Sequence, residues 1–210
     1  MLQLFRNSIT CRTLYQEQSL MKLLITILVS LIAIVFNPYA SHAEDWCSYY
    51  YKMMEFEMAV EACTEVIDSG DKKGEPLFEY YATRGLANKI IGENDEALSD
   101  FNNALRIGTG DKVQLSFTYS DRGNVYKLKG LYEEAASDFR KAIELDPDSY
   151  IGTYYIASLF SLMKEADSAC KWLRKSIENG FIIWREVFKR EEDLDNIRSS
   201  ACYKEIMSGK

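Results

Sequence analysis

Histidine is nearly missing from this sequence: His42 is the only one in 210 residues. It sits at the end of a leader-like segment, so a processed chain would carry none. That would remove Ser-His-Asp and Cys-His catalysis, and His-based metal sites with them. No Gly-x-Ser-x-Gly elbow, phosphate-cradling glycine loop or Cys-x-x-Cys pair occurs. Basic residues are short, 25 against 32 acidic. A surface of that sign repels phosphates and argues against nucleic acid as a partner. Carboxylates alone can support glycosidase chemistry, but nothing in the spacing marks such a pair. The cluster Glu191-Glu192-Asp193-x-Asp195 lacks the spaced ligands and central glycine of a calcium loop, and reads as a solvated acidic face. No enzyme activity, metal or cofactor is expected.

A membrane-spanning run is lacking too. Met21-Lys22 precedes an apolar run, Leu23 to Phe36, of 14 residues. A comfortable span needs roughly 20. Ser41 and Ala43 then occupy the −3 and −1 positions of a cleavage site, so residues 1–43 read as a secretory signal peptide. Met21 is a natural start, which leaves residues 1–20 as an alternative, long basic leader. No stable membrane span is expected after cleavage. Loss of Arg6, Arg12, Lys22 and Glu17 leaves 22 basic and 31 acidic residues, a net charge of −9. Loss of Cys11 leaves Cys47, Cys63, Cys170 and Cys202. An even count in an exported chain suggests two disulfides, with three connectivities open.

What is present is a repeat. Aligned on Ala59, Ala97, Ala135 and Ala169, the chain repeats at spacings of 38, 38 and 34. Four residues later stand Cys63, Phe101, Phe139 and Leu173; seven later, Val66, Ala104, Ala142 and Ser176. Twelve before stand Cys47, Gly85, Gly123 and Ala157, where small residues let two helices approach. Nine before stand Tyr50, Asn88, Tyr126 and Phe160, placed to fill the gap between hairpins. Extra residues fall at Gly70–Gly74 and Gly108–Asp111, where Gly and Asp suit turns.

Within 115–147, Tyr119, Gly123, Tyr126, Gly130-Leu-Tyr132, Ala135-x-x-x-Phe139-x-x-Ala142 and the closing Asp146-Pro147 resemble a tetratricopeptide (TPR) repeat. That resemblance implies antiparallel helix pairs stacked into a solenoid, since one pair cannot bury its apolar face alone. The expected fold is all-α: an α-solenoid of about four TPR-like hairpins with a capping helical tail. Residues 44–74 would form a divergent first hairpin, 75–181 the repeats and 182–210 the cap. The stretch Trp172 to Ile206 is similar to the tail that follows many bacterial arrays, and should lie over the exposed face of the last hairpin. Cys47–Cys63 and Cys170–Cys202 are the expected bonds, each local to a helical hairpin, with the second pinning the cap.

The resemblance also implies a concave groove lined by the first helix of each pair. Carried onto this chain, its partner-binding positions include Tyr51, Leu86, Lys89, Asn124, Lys127, Tyr154 and Ser158. Asn124 can bond both backbone groups of an extended peptide. Lys89 and Lys127 recur at one repeat position and could draw a carboxylate. Ala82 and Leu86 stand where a chaperone-type carboxylate clamp would need Lys and Asn, which counts against that activity. The expected function is an exported scaffold or adaptor, periplasmic or secreted, that binds a protein or peptide partner in the cell envelope. Two alternatives stand beside it: a secreted, disulfide-stapled Sel1-like protein acting on a host or competitor, and an accessory subunit of an envelope enzyme or secretion complex.

Overall fold

A computed structural model of the chain describes residues 43–209. The leader expected over 1–43 lies outside the described residues, apart from Ala43. Helices α1 (Ala43–Lys52) and α2 (Phe56–Ser69) form the first hairpin, and α3 (Glu75–Ile91) and α4 (Asn94–Ile107) the second. The third pairs α5 (Lys112–Leu128) with α6 (Tyr132–Leu145), and the fourth α7 (Tyr150–Leu162) with α8 (Ala166–Glu178). A tail follows: α9 (Trp184–Arg190), a 3-10 segment (Glu192–Ile197) and α10 (Ala201–Ser208). No strand occurs among the described residues. From α2 to α8 successive helices pack in chain order, and α3, α5 and α7 also touch one another in turn. The architecture is the expected all-α solenoid, with first helices lining one face.

The repeat register extends through all four hairpins. Ala59, Ala97, Ala135 and Ala169 are each fully buried. The residues four further on, Cys63, Phe101, Phe139 and Leu173, are buried as completely. They fill the crevice opposite the small residue of the first helix, and the crevice is filled in three ways. In the middle hairpins a glycine faces a phenylalanine ring: a Cβ on Gly85 would lie 2.9 Å from Phe101, and one on Gly123 2.7 Å from Phe139. In the fourth hairpin Ala157 faces the smaller Leu173. In the first, Cys47 and Cys63 are joined, with Cα atoms 4.7 Å apart. Such a bond is worth about 3 kcal/mol in the chain-entropy account.

A second register closes the hairpins. The N–H of Glu55, Glu93, Leu131 and Glu165 bonds the carbonyl of Tyr50, Asn88, Tyr126 and Phe160, at 2.8–2.9 Å. The residue before each donor is left-handed, as this helix ending requires. Gly92 and Gly130 take that role in the middle hairpins, whereas Met54 and Lys164, both at φ 62°, take it at the ends. These glycines have open space around them. Gly92 and Gly130 therefore serve the backbone, and Gly85 and Gly123 serve packing.

Of the residues expected between hairpins, Tyr126 and Phe160 pack in the core between the third and fourth. Asn88 and Tyr50 stay within their own hairpins. Asn88 is buried and donates to Asp100 at 3.0 Å, and Tyr50 stacks on Trp46 at 5.5 Å.

The tail is built on aromatic and aliphatic anchors. Phe181, Phe188, Leu194, Ile197, Tyr203 and Ile206 are buried in one cluster with Tyr154, Ala157, Ala169 and Leu173. Arg198 ties the tail to itself, donating to the carbonyls of Phe188 (3.0 Å) and Glu191 (2.9 Å). Cys170 on α8 is bonded to Cys202 on α10. This pair spans 32 residues and two tail elements, so it is not local to one hairpin as expected; it does tie the cap to the last repeat.

Two predictions follow from the crevice and the turn. Gly123→Ala should destabilise the protein by about 1–3 kcal/mol in urea unfolding, the usual cost of overpacking. Adding Phe139→Leu, the pairing already used by Ala157 and Leu173, should recover part of that loss; a simple sum of two losses would refute the steric account. Lys164→Gly should raise stability by about 1 kcal/mol, because a left-handed non-glycine residue is strained, read as a higher melting temperature.

Candidate functional site

The face lined by α3, α5 and α7 carries charges in a definite order. On α3, Lys89 reaches forward to Asp121 of α5, 2.5 Å away, with both side chains largely buried. On α5, Lys127 is one repeat further on. It lies 3.2 Å from the hydroxyl of Ser158 and 5.7 Å from the ring centre of Tyr155, both on α7. Its ion-pair partner is Asp193 of the 3-10 segment. The tail therefore crosses α7 and reaches α5 on the concave face. The acidic run at 191–195 is not a purely solvated face: Asp193 is engaged with Lys127, and Asp195 with Arg198 at 2.5 Å.

Between α5, α7 and the tail lies a cavity of about 570 Å³. Asn124, Lys127, Tyr154 and Tyr155 wall one side, and Arg190, Glu191 and Asp193 the other. Tyr154 stacks its ring on Phe188 at 5.9 Å and meets Phe181 edge-on at 5.2 Å. Its hydroxyl is buried and makes no hydrogen bond of ordinary geometry. Burial raises the Tyr154 phenol pKa, and the nearby Glu191 carboxylate raises it further. The Tyr155 phenol is raised by burial first and by Asp121 next. Both stay neutral donors at physiological pH. Asn124 has no side-chain partner among the described residues.

Four of the seven sequence-predicted positions converge here: Asn124, Lys127, Tyr154 and Ser158. Ser158 is fully buried, where Lys127 donates to it and it donates to the Tyr155 carbonyl at 3.0 Å. Lys89 and Tyr51 lie toward the N-terminal end, beside Asp121, whose charge also reaches Tyr155. Tyr51 is half-buried against Phe56 at 5.7 Å, with its pKa raised by burial and then by Asp121. Leu86 packs against the buried cluster of Ala97, Phe101 and Val125.

Sequence reasoning missed the most regular polar feature. Arg84 grips Asp100 through two bonds (3.0 and 2.7 Å), and Arg122 grips Asp138 in the same way (both 2.8 Å). Each arginine also reaches back to the preceding hairpin, to Thr64 (2.9 Å) and Asn102 (2.7 Å). For Arg122 burial opposes the charge, but the bonds from Asp138 outweigh it and the pKa rises. All three positions recur after 38 residues, which was the available signal.

Residues 116–149 match the tetratricopeptide repeat family. Among solved structures, the chain is similar to "Crystal structure of MamA protein", at 16% identity and a TM-score of 0.59, covering 80% of this chain and 86% of that one. It is also similar to MamA 41-end from Desulfovibrio magneticus RS-1, at 12% identity and a TM-score of 0.59, covering 82% and 95%. A third is YrrB, described as a TPR protein with an unusual peptide-binding site, at 14% identity and a TM-score of 0.58, covering 75% and 78%. No curated protein matches the chain in sequence. These likenesses establish the fold: a solenoid of the tetratricopeptide type.

Lys89 and Asp121 give a pH-dependent prediction. Burial raises the Asp121 pKa above its ordinary 3.8, and Lys89 opposes the rise. Lys89→Met should therefore cost little below about pH 3, where Asp121 binds a proton in folded and unfolded chains alike. The cost should grow as pH rises above the ordinary carboxylate value and level off once it passes the raised one, at about 3 kcal/mol by pH 7, as for a buried charge that loses its partner. Urea unfolding of wild type and variant at several pH values checks this; a cost independent of pH would refute it.

Proposed function

We propose that this chain is an exported scaffold or adaptor that binds a protein or peptide partner through its concave face. The observation that carries the proposal is the cavity at Asn124, Lys127 and Tyr154. There, a cation, an amide and a buried tyrosine whose hydroxyl lies beside the Glu191 carboxylate meet on the first helices of adjacent repeats. A groove of this kind suits an extended segment, whose backbone Asn124 can bond and whose side chains the aromatic walls can take.

Support for export comes from the leader pattern over 1–43 and from two disulfides among the remaining cysteines. The bonds sit only at the two ends of the array. Sel1-like repeats would carry a pair in each unit, so the tetratricopeptide reading is preferred. In this reading the partner lies in the cell envelope or outside the cell. The proposed role is binding, without catalysis.

Affinity capture from the native cell envelope tests this, with wild type beside Asn124→Ala/Lys127→Ala. Loss of two central groove residues should lower retention of a single partner by about tenfold or more. Equal retention by both proteins would move binding to the convex face or the cap.

A further inference from the structure

The partner's chemistry can be read from the repeat register. Lys89 takes its counter-ion from the next first helix, at Asp121, two residues before the small-residue position Gly123. Lys127 occupies the repeat position of Lys89, and two residues before Ala157 stands Tyr155. The repeat thus leaves Lys127 without its carboxylate. Tyr155 offers only its ring face, and the carboxylate comes instead from Asp193, 66 residues away in the tail. The position is a carboxylate site by construction, filled in cis by a segment outside the repeats.

Beside it the cavity stays open. Tyr154 and Asn124 stand on its wall, and Asn124 has no side-chain partner among the described residues. Arg190 stands at the rim with its side chain 84% exposed, a second cation that lies 4.0 Å from Glu186. The body of the tail is held by Phe188, Leu194 and Ile197, all buried, and by the Cys170–Cys202 bond. Asp193 is the residue of the stretch that engages Lys127, its side chain 23% exposed.

We propose that this cavity binds an extended acidic segment of a partner protein, and that the chain's own Glu191–Asp195 stretch is the resident competitor for Lys127. The proposal rests on the scaffold reading above and adds the partner's charge and the device that regulates access. An incoming Asp or Glu would displace Asp193 from Lys127. Its backbone would meet Asn124 and Tyr154, and a neighbouring acidic side chain would meet Arg190. A tethered competitor acts at high effective concentration, so only a segment with several such contacts displaces it.

A fluorescent peptide with the sequence of residues 190–198 is the probe. Its affinity is measured for the full purified chain as wild type, Asp193→Asn and Asp193→Asn/Lys127→Met. Removing the tethered carboxylate should tighten binding by about tenfold, and the added loss of Lys127 should abolish that gain. About 0.5 M salt should weaken binding to Asp193→Asn. A second measurement needs no variant: wild type should prefer this peptide to its counterpart with every Asp and Glu replaced by Asn and Gln. Equal affinity of wild type and Asp193→Asn, a gain that survives Lys127→Met, or no preference for the acidic peptide would each overturn the proposal. If the peptide results fail while partner capture still depends on Asn124 and Lys127, the acidic-segment proposal alone falls. If capture is independent of those two residues, the groove reading falls whatever the peptide does.

Discussion

The fold depends on how closely two helices can approach at one crossing. The first helix of each hairpin must present almost no side chain where the second presents its largest. With glycine against phenylalanine, the missing Cβ of Gly123 is what leaves room for the ring of Phe139. Once this crossing is set, the remaining positions follow. The anchoring alanine is fully enclosed, the arginine beside the glycine lies opposite an aspartate on the second helix, and the next hairpin stacks on the resulting surface. Each crossing is small and local, and the solenoid sums them along one axis.

The two end hairpins depart from this scheme together. Each lacks glycine at the crossing and at the turn, and each replaces the Arg–Asp pair: Trp46 and Ala62 stand at those positions in the first, Ile156 and Trp172 in the fourth. Both ends also carry a disulfide. The first hairpin has one neighbour, and its covalent link offsets what a second would have contributed. The fourth is covered by the tail, and its link holds the tail to it. Middle hairpins obtain the same specificity from buried ion pairs that reach back to the preceding unit.

The repeat was legible in the sequence because packing imposes a period, and Ala59, Ala97, Ala135 and Ala169 keep it even where the flanking residues diverge. Cys47–Cys63 was legible from where its cysteines fall in that register, whereas Cys202 lies outside the register and its bond to Cys170 is not local to one hairpin. The site was legible in part. Asn124, Lys127, Tyr154 and Ser158 share a face by helical spacing alone, so they could be grouped in advance. Their state could not. The partner of Lys127 lies 66 residues away, and which carboxylate of the acidic run arrives depends on the path of the tail. Charged residues are also read as exposed by default. That default hides Arg84, Arg122, Asp100 and Asp138, whose burial is possible only because each has its partner.

The reach of the tail has a mechanical consequence. A repeat array coupled only between nearest neighbours frays from its ends, unit by unit. Here Asp193 bonds the third hairpin while Cys202 bonds the fourth, so the chain after the repeats spans two units at once. That closes a loop in an otherwise linear sequence of couplings. The third hairpin, the fourth and the tail are thereby linked beyond nearest neighbours.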